Sequence, residues 1–185
     1  MERTLIILKP DAVKRAIVGE IISRFEKVGL KIVAVKMLVP DKDLLVKHYP
    51  EELVPIVGNK TLKDWAAYGV KTDETAEQIG RMVIDETRNF MASGPVLAMV
   101  LEGGHAVEVV RKLVGSTGPK DSAPGTIRGD YAHLSLGRAS SARKGAANLI
   151  HASGSVEEAD QEIALWFKPE ELHEYTTVHE YLTHV

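Results

Sequence analysis

The chain of 185 residues contains no cysteine. It can therefore build no disulfide framework and offers no thiolate to a metal, although this absence does not assign a compartment. It also lacks any run near the roughly 20 apolar residues of a membrane helix. The apolar stretch Leu5 to Leu8 ends at Lys9 and is too short for a signal-peptide core, so a soluble cytoplasmic protein is the default expectation. There is no basic excess either: 23 Lys and Arg stand against 26 Asp and Glu, a formal net charge of −3. Nonspecific nucleic-acid binding rests on basic surface, so nucleic acid is not expected as the main partner. Finally, there is no Walker loop, no protein-kinase signature and no GxGxxG after a strand. Gly58-Asn59-Lys60-Thr61 has the wrong spacing for a Walker loop. Any phosphoryl chemistry must then use side-chain cations.

What is present is ordinary globular material, 44% hydrophobic and 26% charged, at a length that suits one domain. Thr4 to Leu8 predicts a short buried strand, broken by Lys9-Pro10-Asp11. Val18, Ile21, Ile22, Phe25 and Val28 share one helical face, with Gly29 as its C-cap. Leu30 to Val39 is a second strand, and Pro40-Asp41 opens a short helix carrying Leu44, Leu45 and His48. Pro50 and Pro55 interrupt the next stretch of chain. Thr72-Asp73 predicts the cap of a helix with Ala76, Ile79, Val83 and Phe90 on one side. Pro95 to Leu101 is a third strand, and Ala106, Val109, Val110 and Leu113 form a helix closed by Gly115.

Gly115 to Asp130 reads as a structured loop and Gly137 to Gly145 as a flexible surface loop. Leu149-Ile150 leads into His151. Ser155 and Glu158 have capping-box spacing for a helix with Val156, Ala159 and Ile163 on its inner face. The tail has no clear pattern, and its histidines His173, His179 and His184 lack metal-ligand spacing. Two strand-helix-strand units imply an α+β fold of the ferredoxin-like sandwich type with a four-stranded antiparallel sheet. The whole of 1–185 reads as a single domain with insertions at about 55–88 and 138–146.

Four residues stand out for phosphate chemistry. Lys9 ends the first strand; it is either a solvated lysine or a cation delivered to the sheet edge. Arg111 borders the apolar face of its helix and alone reads as a surface arginine. Arg128 lies in the turn-rich Pro124-Gly125-Thr126-Ile127-Arg128-Gly129-Asp130, where a fixed guanidinium either matches phosphate oxygens or pairs with Asp130. His151 falls between a short apolar segment and a helix start, where backbone N–H groups favour anions. A neutral, oriented imidazole accepts a phosphoryl group; a buried, hydrogen-bonded core histidine is the alternative. Glu162 borders the inner face of the next helix and could reach back to orient the ring. His48 and Tyr49 first suggest plain packing.

Taken together, the blocks Arg3 to Val13, Gly19 to Ile22, His48-Tyr49, Ser93 to Val96, Gly115 to Thr117, Pro124 to Asp130, Asn148 to Ser153 and Leu165 to Leu172 resemble the nucleoside diphosphate kinase family, in the family's order. The resemblance implies transfer of the γ-phosphate of ATP, or another nucleoside triphosphate, to a nucleoside diphosphate through a phosphohistidine at His151. It implies that Glu162 orients that ring and Ser153 supports both. Lys9, Arg111, Thr117 and Arg128 would hold phosphates, Tyr49 would flank the transferring group, and Asn148 would bind ribose. Magnesium is implied through the nucleotide phosphates, and a homo-oligomer is implied, a hexamer ahead of a tetramer.

Three features depart from the family. Counting along from Tyr49 to the family's base-stacking phenylalanine lands near Val57, with Trp65 and Tyr68 the nearby aromatic substitutes. Arg138 to Ala146 is a basic stretch, read as a solvated loop or as a flap over the phosphates. Gly154 stands where many members carry an aspartate near the magnesium. A non-catalytic nucleotide sensor is the competing reading, but a sensor has little need of His151 and Glu162 together.

Overall fold

A computed structural model describes residues 1–183, so His184 lies outside the described residues. Four strands form one sheet: β1 (Glu2–Leu8), β2 (Lys31–Leu38), β3 (Val96–Gly103) and β4 (Ile150–Ala152). Their order is β2-β3-β1-β4 and every pairing is antiparallel. This is the α+β sandwich expected. The β1 run Thr4 to Leu8 is buried throughout because both faces of the sheet are covered. Ile6 and Leu8 pack with Ile21 and Phe25 of α2 (Val18–Lys27) and Val110 of α6 (Ala106–Val114). Leu5 and Ile7 point the other way, to Leu45 of α3 (Lys42–His48) and to Ile163 and Trp166 of α9 (Val156–Trp166).

The connecting pieces are more helical than the sequence suggests. After α1 (Pro10–Lys14) and the elements above come α4 (Val54–Ala67) and α5 (Ala76–Ala92), an antiparallel pair packed tightly together. Gly58 and Gly80 permit the approach: a Cβ on Gly58 would lie 1.7 Å from the Ala76 carbonyl oxygen, and one on Gly80 would lie 2.0 Å from that of Val54. The cap of α5 is Thr75, not Thr72-Asp73. Thr75 Oγ1 accepts from Gln78 N at 3.2 Å, and Gln78 Oε1 accepts from Thr75 N at 2.8 Å. A reciprocal cap outcompetes the upstream pair because it satisfies two orphan donors at once.

The stretch 115–130 includes the short helix α7 (Ile127–Tyr131), capped by Thr126. The expected flexible loop at 137–145 is a correction: residues Leu136–Ser141 form α8, with Gly137, Ala139 and Ser140 buried. Its small residues serve close packing, not mobility. A Cβ on Gly137 would lie 2.6 Å from the Tyr68 ring, and Trp65 Nε1 donates to Ser140 Oγ at 2.8 Å. In the tail, α10 (Val178–Thr183) closes the described chain. No helix among the described residues is long and apolar enough to cross a membrane.

Candidate active site

His151 occupies the middle of β4, paired with Ile7 of β1, and so rests on the buried part of that strand. Ser155 caps α9, accepting from Glu158 N at 3.2 Å, and this fixes the helix that brings Glu162 back toward β4. Glu162 Oε1 lies 2.7 Å from His151 Nε2, and Ser153 Oγ donates to Glu162 Oε2 at 2.6 Å. A carboxylate only accepts, so Nε2 carries the ring proton and Nδ1 keeps a free lone pair. Burial works to raise the Glu162 carboxyl. The hydrogen bond from His151, the neighbouring imidazoles and Ser153 outweigh it and hold the carboxyl below its ordinary range.

The segment before His151 is strained. Leu149 has φ +73°, a left-handed value that costs a non-glycine residue of the order of 1–2 kcal/mol. Full burial and two hydrogen bonds hold it there: its N–H donates to Asp11 Oδ2 at 3.1 Å, and its carbonyl accepts from Lys9 N at 2.8 Å. The turn sets Asn148 beneath the cleft. Asn148 Oδ1 accepts from Lys9 Nζ at 2.7 Å, and its Nδ2 donates to the Thr117 carbonyl at 2.8 Å.

Arg128 does not pair with Asp130, which is bound by Arg24 at 2.6 Å. It clamps the loops instead, donating to the carbonyls of Asn148 (3.1 Å), Gly115 (3.2 Å), Ser116 (3.0 Å) and Ile150 (2.5 Å). Four of its five N–H donors are thus engaged, leaving one and the charge for a ligand. Arg111 lies at the surface with no protein partner among the described residues.

Two cavities share this cluster. One of about 270 Å³ is lined by Lys9, Tyr49, Thr117, Arg128, Asn148 and His151. Val57, Lys60, Asp64, Val83, Leu136 and Lys144 also line it. A smaller one of about 110 Å³ contains Thr117, Arg128 and His151 and adds Arg111. The nine sequence candidates therefore converge: seven line the cavities, while Glu162 and Ser153 stand behind His151.

The electrostatics suit an anion. Burial, with the nearby Arg128 charge, pushes Lys9 down to about 8, against a weaker opposing pull from Asp11. Burial, reinforced by Arg111, takes Arg128 down to about 10, so it stays cationic at neutral pH. Each cation is poised to regain favourable energy when a phosphate arrives. Burial pushes the Tyr49 hydroxyl up, so it remains a neutral donor.

Sequence reasoning missed His48. Its ring lies edge-on to His151 at 4.6 Å, to Tyr49 at 4.5 Å and to Trp166 at 5.4 Å. Its Nδ1 lies 3.4 Å from Glu162 Oε1 and accepts from Trp166 Nε1 at 3.3 Å. Burial and the neighbouring His151 hold it down to about 3, hence neutral. The signal was its i, i+3 spacing from the core residue Leu45. The aromatic substitutes are corrected too. Trp65 is buried against Ser140, and Tyr68 is exposed with Lys120 over its ring, so neither lines the larger cavity. Val57 does, together with Val83 and Leu136 in an aliphatic cleft.

Comparison with known proteins gives a consistent family. A family model described as nucleoside diphosphate kinase matches residues 2–54 and 73–172. The nucleoside diphosphate kinase of Pyrobaculum aerophilum is 48% identical over 180 residues, covering 93% of this chain and 98% of the relative. That of Pyrococcus furiosus is 47% identical over 175 residues, covering 95% and 88%. Among solved structures, an NDP kinase from Pyrobaculum aerophilum superposes with a TM-score of 0.89 at 46% identity, covering 94% of this chain and 99% of that one. A transition-state mimic of the Borrelia burgdorferi nucleoside-diphosphate kinase, with bound vanadate and ADP, gives a TM-score of 0.82 at 37% identity, covering 97% and 94%.

Proposed function

The chain belongs to the nucleoside diphosphate kinase family, and from that premise we infer that it moves the γ-phosphate of a nucleoside triphosphate such as ATP to a nucleoside diphosphate by way of His151. The observation that carries the assignment of His151 is its hydrogen bond to Glu162, which leaves Nδ1 unprotonated on a ring that lines the cleft.

Nδ1 attacks the γ-phosphorus, an N–P bond forms, and the bond to the bridging oxygen breaks with its electrons leaving on the diphosphate. The imidazole gains positive charge, and the Nε2 proton stays against Glu162. Lys9, Arg111 and Arg128 neutralise the phosphates, Thr117 helps to orient them, and Tyr49 flanks the transferring group. Phosphoryl transfer needs mainly this kind of positioning and charge. After the first diphosphate leaves, a terminal oxygen of a second attacks phosphorus and the N–P bond breaks, restoring His151. Asn148, which lines the same cleft, would bind the ribose.

Magnesium fits as a passenger on the nucleotide. A hard cation prefers oxygen ligands. The cluster His48, His151 and Glu162, the one metal-competent group among the described residues, is mostly imidazole and committed to the nucleophile. Gly154 leaves room for Glu158, whose Oε2 accepts from Gly154 N at 3.1 Å and supplies a carboxylate on that side. Bound to the phosphates, magnesium would add charge neutralisation.

We read residues 1–185 as one such unit, working in the cytoplasm as a homo-oligomer, with a hexamer ahead of a tetramer. The edge strand β2, covered at Ile32 and Val33 by Tyr175 and His173 of the tail, supports assembly further along: Val35 and Met37 are 53% and 58% exposed there. Light scattering of the pure protein tests the oligomer, and cell fractionation the compartment.

The functional test is incubation with γ-labelled ATP beside His151→Ala, then addition of GDP. An acid-labile, base-stable label that needs His151 and moves to GDP is the expected result. No label on folded wild-type protein would overturn the assignment.

A further inference from the structure

The family model passes over residues 55–72, and the larger part of that stretch is the helix α4. In this chain α4 is a wall of the cleft. Val57, Lys60, Thr61 and Asp64 lie at i, i+3, i+4 and i+7, one face of the helix, and all four line the larger cavity. They line it together with Val83, Leu136 and Lys144. Val57, Val83 and Leu136 offer apolar contact to the faces of a base. Asp64 is half-buried, and its carboxylate has no hydrogen-bond or ion-pair partner among the described residues. Lys60 and Lys144, both exposed at the mouth, are likewise unpaired among the described residues.

A half-buried carboxylate without a protein partner is free to accept from the donors of a ligand in the cavity. The bases differ in what they bring. Guanine carries two adjacent donors, N1–H and the exocyclic amine, beside the acceptor O6. Adenine, cytosine and uracil each place acceptors where a carboxylate needs donors. Lysines lining the same cavity suit O6 and disfavour the adenine amine.

We propose that α4 reads the base through Asp64, giving this enzyme a preference for guanine nucleotides as phosphoryl acceptors. Asp64 accepts from guanine N1–H and N2–H, and Lys60 or Lys144 donates to O6. The inference rests on the cleft being the nucleotide site described above.

The test uses the full chain phosphorylated with γ-labelled ATP. Transfer of the label to GDP, ADP, UDP and CDP is timed for wild type, Asp64→Ala and Asp64→Asn, with melting curves to confirm folding. Wild type should favour GDP over ADP by roughly tenfold, the scale of two hydrogen bonds to a half-exposed carboxylate. Asp64→Ala should bring that ratio near one. Asp64→Asn, whose amide offers one donor and one acceptor, should shift it toward ADP. An unchanged GDP to ADP ratio in Asp64→Ala would overturn the inference, and so would an equal loss for all four bases, which would mark Asp64 as a ribose or structural residue. Calorimetric titration of GDP and ADP reads the same preference without chemistry. A chain that takes no label yet binds GDP through Asp64 would refute the kinase assignment and keep the base-reading helix.

Discussion

Replacing Glu162 probes how much of the chemistry depends on a charged partner for His151. The carboxylate is held by His151 Nε2 at 2.7 Å and Ser153 Oγ at 2.6 Å, and its neighbours Ile163 and Trp166 are in the core, so it has little freedom to move. Hydrogen bonds to charged groups contribute about 1.5–3 kcal/mol and neutral ones about 0.5–1.5. Glu162→Gln keeps the shape, with its amide oxygen taking the Nε2 proton and its nitrogen donating to Ser153. It removes the charge that stabilises the developing imidazolium, about 1–1.5 kcal/mol, or roughly a five- to tenfold slower phosphorylation. Glu162→Ala removes the whole interaction and frees the ring, roughly a ten- to 150-fold loss. Single-turnover labelling of His151 by γ-labelled ATP measures both. Rates for both variants within twofold of wild type, or Gln slower than Ala, would refute the orienting function.

The other predictions concern pH, packing and the second supporting residue. Lys9, held down to about 8 chiefly by burial, loses its charge as pH rises through that value, so kcat/KM should fall on the alkaline side with a midpoint near 8; Lys9→Arg should move this limb upward. Glu162 has a folded pKa below its ordinary value, so its stabilisation is present above the unfolded range near 4.3 and is lost as pH falls through the folded value. The melting difference between wild type and Glu162→Gln should therefore shrink below about pH 4. Gly58→Ala drives a Cβ to 1.7 Å from the Ala76 carbonyl oxygen and should cost about 3 kcal/mol, a Tm lower by roughly 6–12 °C in thermal melting. Ser153→Ala should slow His151 labelling less than Glu162→Ala, because it removes one neutral donor and leaves the carboxylate on Nε2.

Legibility in the sequence tracks how each element is stabilised. β1 was readable because a strand covered on both faces must be apolar almost throughout, and α2 and α6 because one face of each packs on the sheet. The phosphate end was readable for a related reason: His151, Lys9 and Asn148 sit at the ends or in the middle of those same buried strands and turns. α8 was not readable, since its glycine, alanine and serines carry the composition of a loop while their small size serves close packing to Tyr68 and Trp65. The cap at Thr75 was misplaced because Thr72 offers the same side chain three residues earlier, and only the Gln78 return bond separates them. His48 was undervalued because its partners, His151 and Trp166, are more than 100 residues away in the chain.

The two ends of the cleft are built differently, and the difference separates chemistry from selectivity. At the phosphate end, the polar groups are tied to the buried frame: Arg128 to four carbonyls, Lys9 to Asn148, and His151 through Glu162 to Ser153 and β1. A shift of any one would strand a buried donor or acceptor, so this end tolerates little change. The remaining walls are α4, α5 and α8 with Lys144 just beyond α8, and the cleft-lining polar groups Lys60, Asp64 and Lys144 have no protein partners among the described residues. Changing them leaves no internal hydrogen bond unmade. Base preference can thus vary on the inserted helices while the phosphoryl-transfer machinery, anchored in the sheet, stays as it is.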